Sequence, residues 1–303
     1  MTMPLAPVAP HGAPKPAWLK TRAVFTPEYI KVKGALRDNR LHSVCEEANC
    51  PNIRECFSHG TATFMILGNI CTRGCRFCDV IKGKPIGYDI DEPRRLAEGV
   101  AQMGLQQVVI TSVNRDDLPD GGSWVYAETI RLLRERDPRV KIEVLIPDFD
   151  GNLEAVDAVL DAQPDVLNHN TETVPRLYKL VRPRAELNRS LDILRRTASR
   201  ANPPIVKSGI MVGLGETTEE IHDVMRRIVE AGCQILTIGQ YLSPSAEHLP
   251  VVRYYEPDEY ADLKRIGEDE IGFAHVESGP LVRSSYHAFD QVQKMEARIG
   301  ISN

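Results

Sequence analysis

The chain has 303 residues, of which 42% are hydrophobic and 26% charged, and its formal net charge is −5. That length suits one large domain or two ordinary ones, and the composition excludes disorder of the whole chain. No stretch approaches the roughly 18 apolar residues of a membrane-spanning helix, and the acidic balance argues against a general nucleic-acid binder.

Residues 1–16 hold Pro4, Pro7, Pro10, Pro14 and Pro16 and read as a disordered Pro-rich tail. Neither a signal-peptide pattern nor an Arg-rich transit pattern is visible, so a cytoplasmic location is expected. Residues 17–60 form an N-terminal extension, and residues 61–280 then alternate regularly. TATFMILG (61–68) reads as a strand. Residues 91–104 read as a helix with Leu96, Val100 and Met103 on one face, Pro93 in its first turn and Gly104 after its end. There follow a strand at 106–113, a helix at 123–136, a strand at 141–148 and a helix at 152–162. Next come a strand at 165–172, a helix at 188–200 and a strand at 205–213. The helix at 218–231 opens with a capping box of Thr217 and Glu220. A strand at 234–241, a helix at 257–271 and a short strand at 274–280 complete the alternation, leaving 281–303 as a C-terminal segment. Six βα units and a closing strand predict an α/β fold, a partial (β/α)6 TIM-like barrel, with its site at the C-terminal strand ends. A doubly wound sheet is the alternative, but no G-x-G-x-x-G follows the first strand.

Six of the seven cysteines fall between positions 45 and 78. A large chain, an odd count and this clustering favour metal binding over a disulfide framework. Cys233 stands apart and reads as a small buried hydrophobe. CTRGCRFC spaces Cys71, Cys75 and Cys78 as C-x3-C-x2-C directly after the first strand. Three thiolates can hold three irons of a [4Fe–4S] cube and leave the fourth iron open to a ligand. A structural zinc site is the plain alternative, but zinc takes four ligands, commonly as two short pairs. Gly74 permits a tight bend, and Phe77 can shield the cluster and offer an aromatic contact. CEEANCPNIREC places Cys45, Cys50 and Cys56 as C-x4-C-x5-C, a second triplet one thiolate short of a fully ligated cube.

The C-x3-C-x2-C resembles the motif of the radical S-adenosylmethionine (SAM) superfamily, whose fold is the same partial barrel. Together with CEEANCPNIREC, RDDLPDGG (115–122), HNTETV (169–174), GLGET (213–217), QYLSPS (240–245) and RSSYH (283–287), the chain resembles the lipoyl synthase family from about residue 17 to about 288. The resemblance implies a radical SAM sulfurtransferase that inserts two sulfur atoms, at carbons six and eight, into a protein-bound octanoyl chain. Such C–H groups have no useful acidity, so general-base chemistry cannot open them and a cofactor has to supply a radical. Implied cofactors are two [4Fe–4S] clusters and SAM, two per lipoyl group formed. The Cys71/Cys75/Cys78 cluster would reduce SAM to methionine and a 5′-deoxyadenosyl radical. The Cys45/Cys50/Cys56 cluster would give up its sulfide, with a serine of RSSYH as its fourth ligand: Ser285, with Ser284 as fallback. A serine oxygen is a harder, poorer match for this iron than thiolate, which suits a cluster meant to be dismantled. The C-terminal segment is thus expected to close over this site.

Arg283 is expected beside that cluster, steadying its charge. Candidate SAM contacts lie at strand ends: Ser112, Asn114, Asn170, Glu172, Gly213, Leu214, Gly215 and Glu216. His169 reads equally as a satisfied core histidine. Residues 176–200 carry eight Arg or Lys against two acids and suggest an electrostatic docking surface for an acidic carrier domain, or a solvated helix face. Expected partners are octanoylated lipoyl carrier domains, an electron donor such as ferredoxin or flavodoxin, and an Fe–S cluster carrier, with no nucleic acid and no membrane. The competing readings are a biotin-synthase-like enzyme, whose auxiliary ligands follow the SAM triplet, a second cluster that is a permanent electron relay, and a non-catalytic iron–sulfur or zinc protein.

Overall fold

The computed structural model describes residues 15–20 and 25–300. Most of the Pro-rich segment, residues 1–14, lies outside the described residues. Seven parallel strands form the sheet: β1 (Thr63–Ile66), β2 (Gln107–Ser112), β3 (Lys141–Leu145), β4 (Val166–Asn168), β5 (Ile205–Val212), β6 (Ile235–Gln240) and β7 (His275–Gly279). Each pairs with the next in chain order, without a reversal. A doubly wound sheet reverses its strand order at a switch point, so the unbroken order belongs to a barrel wall. Every residue of β1 and of β6 is buried, as expected of strands covered on both faces.

Six helical connections return the chain from each strand to the next. They are built on α1 (Glu92–Met103), α2 (Ser123–Arg136), α3 (Leu153–Asp161), α4 (Leu187–Ala198), α5 (Thr218–Glu230) and α6 (Pro257–Arg265). Leu96, Val100 and Met103 are buried on α1. The capping box of α5 is present in both directions, Glu220 N–H to Thr217 Oγ1 at 3.3 Å and Thr217 N–H to Glu220 Oε2 at 2.9 Å.

Two elements differ from expectation. The helix expected over 257–271 widens after Arg265 into a π-helical stretch, Ile266–Ile271. There Gly267 lies so close to Met225 and Val276 that a Cβ would stand 2.8 Å from each. The strand expected over 165–172 pairs regularly only as far as Asn168, then touches β5 again through a single bridge, Glu172 to Ile210. Glu172 sits at φ 68°, a conformation costly for a residue with a Cβ. This break turns the chain after β4 toward the mouth of the barrel.

The barrel is open between β1 and β7, and the two chain ends fill that gap. On the N-terminal side, His42–Ser43 adds an antiparallel strand to the free edge of β1. Helices Pro27–Asp38, Val44–Glu47 and Ile53–Ser58 complete the extension. Its Leu36, Leu41 and Phe57 share one apolar core with Phe64, Ile66 and Val108. On the C-terminal side, residues 281–287 cross back over the opening. Asn52 Nδ2 donates to Leu281 O at 2.6 Å, and Tyr286 Oη donates to Glu55 at 2.9 Å. A final helix, Ala288–Ile299, is held on β7 and the π-helical turn by Lys294–Glu277 and Arg298–Glu268 pairs. Among the described residues no helix is long and apolar enough to cross a membrane.

Candidate functional site

A cavity of about 470 Å³ opens at the C-terminal ends of the strands. Its walls carry five of the six clustered cysteines (Cys45, Cys50, Cys71, Cys75 and Cys78), and Cys56 stands within electrostatic reach of Cys45 and Cys50. All six thiols are free, and two triplets far apart in the chain's architecture therefore meet at one mouth.

The loop 71–78 leaves a short parallel ladder, Ile70–Cys71 with Ile81–Lys82, and is then pinned on several sides. Thr72 N–H donates to Asn114 O at 3.0 Å and Arg76 N–H to Val181 O at 2.9 Å. His248 Nε2 lies 3.1 Å from Cys78 O. The backbone N–H groups of Arg73 and Asn114 both point at Cys71 Sγ, at 3.4 Å. Burial pushes the Cys78 thiol up to about 12 and raises Cys75, with Arg182 opposing the rise at Cys75. A buried thiol of this kind gives up its proton to a metal rather than to water.

Four further residues complete the first triplet's setting, and the sequence reading passed over them. Arg73 is buried inside the loop, with Asp116 bonded to both its Nε and its Nη2, Asp148 at 3.1 Å and Asp150 at 3.3 Å. Burial works against its charge, but Asp116, Asp148 and Asp150 outweigh that and raise its pKa. Arg73 thereby ties the cysteine loop to the loops after β2 and β3. The acid-rich turns RDD (115–117) and PDFD (147–150), each at a strand's C-terminal end, were the available signal. Arg73→Met should weaken metal retention at this triplet or SAM cleavage by about 10–100-fold, the usual effect of removing an outer-shell partner. Arg73→Lys should fall between, because a lysine keeps the charge and loses the fork. Iron per chain and the rate of 5′-deoxyadenosine release measure both.

The second triplet is built on the extension. Ser43 Oγ caps helix 44–47, placing Cys45, and Cys50 N–H donates to Cys45 O at 3.0 Å. Cys56 follows on helix Ile53–Ser58. Burial raises Cys45 to about 11, with Thr63 opposing, and Cys56 to about 12, with the neighbouring thiols adding to the rise. The RSSYH segment arrives from the other end of the chain. Ser285 Oγ accepts a bond from Thr63 Oγ1 at 2.7 Å, on the side of Cys45. Ser284 Oγ accepts from Asn170 Nδ2 at 2.7 Å, on the barrel side. Arg283 opens onto the cavity beside Cys50; burial lowers its pKa, opposed by the charges of Cys50 and Tyr260. The strap lies directly on β6, where a Cβ at Gly239 would stand 2.1 Å from Val282 O.

Of the expected SAM contacts, Phe77, Ser112, Asn114, Asn170 and Glu172 line the cavity. Asn170 Nδ2 also reaches Glu172 at 3.1 Å, and Arg182 holds the backbone O of Asn170 at 2.9 Å. Burial raises the Glu172 carboxyl, with Arg182 opposing. Asn170 Oδ1 and Arg182 Nε are buried without a partner, one acceptor and one donor at the same end of the barrel. Such orphaned atoms are what a bound zwitterion would satisfy. The soft six-thiol donor set and these free polar atoms fit two iron–sulfur clusters and SAM. Among the described residues no three His, Cys, Asp or Glu converge on the shell of a single metal ion.

Gly213, Leu214, Gly215 and Glu216, also expected at SAM, stand outside the lining of this cavity. Glu216 turns back on its own loop, accepting from Gly213 N–H at 2.5 Å, Leu214 N–H at 2.9 Å and Tyr255 Oη at 2.9 Å. Gly213 has φ 104°, and a Cβ there would stand 2.1 Å from Gln240 Nε2. This turn is built for packing against the segment after β6. His169 is the satisfied core histidine: its ring bonds Ile146 O at 2.9 Å and Ser190 Oγ at 3.0 Å, and burial lowers its pKa to about 4. Cys233 is buried, as expected.

In the basic stretch 176–200, six of the eight cations have ion-pair partners. Arg176 pairs with Glu220, Arg184 with Asp116, Arg189 with Asp148 and Asp150, Arg195 with Asp192, and Arg196 and Arg200 with Asp157. Much of its charge is thus met within the chain, which weakens the field it projects.

Comparison with known proteins agrees with this geometry. Residues 65–228 match the Radical SAM superfamily, and residues 12–50 match the N-terminal domain of lipoyl synthase of the Radical SAM family. A lipoyl synthase of Rubrobacter xylanophilus is 55% identical over 290 residues, covering 96% of this chain and 89% of that one. A lipoyl synthase of Klebsiella pneumoniae is 53% identical over 287 residues, covering 94% and 89%. Among solved structures, methylornithine synthase aligns over 92% of this chain and 90% of its own at 12% identity, with a TM-score of 0.50. The hydrogenase maturase HydG aligns over 81% and 56% at 14% identity, with a TM-score of 0.54; both likenesses concern the fold alone. With this fold, two cysteine triplets at one cavity and relatives of that identity along nearly its whole length, the chain belongs to the lipoyl synthase family of radical SAM enzymes.

Proposed function

We propose that residues 17–60 and 281–303 act as two jaws holding the sulfur-donating cluster over a radical-generating barrel, residues 61–280. The chain is a lipoyl synthase, a radical SAM sulfurtransferase that acts on octanoylated lipoyl carrier proteins. When bound, the clusters and SAM supply the hydrogen-abstracting radical and the sulfur, neither of which a side chain can provide. Cys71, Cys75 and Cys78 hold the first cluster. Asn170, Glu172 and Arg182 orient the amino-acid part of SAM, and Phe77, Ser112 and Asn114 bound its other side. Cys45, Cys50, Cys56 and Ser285 hold the second cluster, with Arg283 offsetting its negative charge.

The observation that carries this reading is the meeting of five of the six clustered thiols with Arg283, Ser284 and Ser285 at one mouth, Cys56 standing close behind Cys45 and Cys50. Groups held by the two sets of thiols would then share one cavity sheltered from bulk water. The same fact disfavours a biotin-synthase-like arrangement, because here the auxiliary thiols come from ahead of the barrel. The electron donor, a ferredoxin or flavodoxin, and the Fe–S carrier remain proposals of the same reading. Anaerobic turnover of an octanoylated peptide tests it, with the dithiolated product read by mass and about eight irons expected per chain. A fully loaded protein that cleaves SAM but never forms that product overturns the assignment.

The choice between the two serines is separately testable. Thr63, against Cys45, bonds Ser285, whereas Ser284 is engaged by Asn170. Ser285→Cys should retain the second cluster and slow its loss of sulfur, since a thiolate grips this iron better than a hydroxyl oxygen. Ser284→Cys should not. Product formed per chain in a single turnover distinguishes them.

A further inference from the structure

The segment between the cysteine loop and α1 carries no side chain assigned to a cluster or SAM above, yet its surface is unusual. Ile81, Ile86, Tyr88 and Ile90 leave 55, 101, 44 and 67% of their surface exposed. Grouped exposure of this kind marks an interaction site more often than chance display. The backbone beneath is fixed. Ile81 and Lys82 pair with Ile70 and Cys71, and Gly83 N–H donates to Cys71 O at 2.9 Å. Gly87 O accepts at 2.8 Å from the buried Arg115, which Asp117 holds at 2.7 Å. Asp89 pairs with Arg95 at 2.9 Å. The chain is thus held firmly in a shape that presents four apolar side chains outward.

The charge on this ledge is one-sided. Its carboxylates Asp89 and Asp91 face Arg95 and Arg94, whereas Lys82 and Lys84 are exposed and have no ion-pair partner among the described residues. The ledge is also continuous with the site, because Asp79, Val80 and Lys82 line the cavity wall.

We propose that residues 81–90 are the docking ledge for the carrier domain, recognising an apolar patch edged with carboxylates beside its octanoyl-lysine. This rests on the function proposed above. A substrate chain tethered to a folded domain can enter the cavity only if that domain sits at the mouth, and this apolar, cationic ledge joins the cavity wall at Lys82. A second copy of this chain fits less well, since pairing ledge to ledge brings Lys82 and Lys84 against their own kind.

The test uses full-length, anaerobically loaded enzyme carrying Ile86→Asp and Ile90→Asp, and separately Lys84→Glu. Affinity for an octanoylated carrier domain is measured by calorimetry without SAM. Turnover is measured on that domain and on an octanoyl-lysine tripeptide. Expected are a loss of about 10-fold or more in carrier affinity and in kcat/KM for the domain, unchanged tripeptide turnover and unchanged iron. Unchanged carrier affinity overturns the proposal. So does a parallel loss on both substrates with lost iron, which would make the loop a support of the cysteine triplet. A dimer that light scattering shows dissociating in the variant assigns the ledge to self-association and overturns it as well. Failure of the parent enzyme to form dithiolated product refutes the proposed function, while the calorimetry still decides the ledge.

Discussion

Replacing Cys45, Cys50 or Cys56 by Ala should abolish the dithiolated product and leave reductive SAM cleavage running. Each residue is one of three thiols gathered at the extension: Cys45 is bonded by Thr63, which also donates to Ser285, Cys56 is bonded by Thr61, and Cys50 lies near Arg283. Two thiolates and one serine oxygen make a poor soft-donor set for an iron cube. Iron should therefore fall from about eight to about four per chain. The remaining triplet keeps its own anchors, Arg73, Asn114, Val181 and His248, none of which passes through the extension. Mass spectrometry of the carrier and quantification of 5′-deoxyadenosine give both readings from one reaction. Loss of SAM cleavage in these variants would mean that the two centres are not functionally separate.

Lys207→Met should cost about 3–5 kcal/mol of folding stability, because it strands a buried carboxylate. Lys207 Nζ lies 2.9 Å and 3.2 Å from the two oxygens of Glu143, and neither side chain has exposed surface. Asn168 Nδ2 adds a bond to Glu143 at 3.2 Å. The three residues sit on β3, β4 and β5, and Glu143 is two positions before the cavity-lining Leu145. Removing both charges together, as Glu143→Leu with Lys207→Met, should recover most of the loss, since a buried pair gains little over well-packed apolar groups. Urea unfolding of the two variants decides it, read as a shift in midpoint at unchanged slope. A double variant as unstable as the single one would show that the layer needs its polar network for packing.

Much of the fold was legible because its signals are local. A strand buried on both faces writes an apolar run, and a helix against it writes a stripe, as at Leu96, Val100 and Met103. Thr217 and Glu220 announce their helix through a bond spanning three residues. The segments that were missed bury little of themselves. On the final helix only Ala288, Gln291 and Met295 are buried, so its periodicity is faint. The two cysteine-bearing helices of the extension have only four and six residues, and the extension's apolar residues join a core supplied by the barrel. The strand after residue 165 was overextended because HNTE looks extended, while its break at Asn168 serves the cavity.

The same division holds for the site. Cysteine spacing is a property of short loops, so the six thiols and their grouping into two triplets could be read in the chain itself. Arg73 with its three carboxylates, Ser285 against Thr63 and Ser284 against Asn170 join positions 43 to 222 residues apart. Which partners meet across such distances depends on strand order and on where the strap crosses β6. The glycine-rich turn after β5 and the basic stretch at 176–200 show the same division. Residue type says that a glycine allows close approach and that an arginine carries charge. Folding settles what approaches it and which carboxylate answers it, and here the answers came from inside the chain: Gln240 beneath Gly213, and acids of the neighbouring loops and helices beside the arginines.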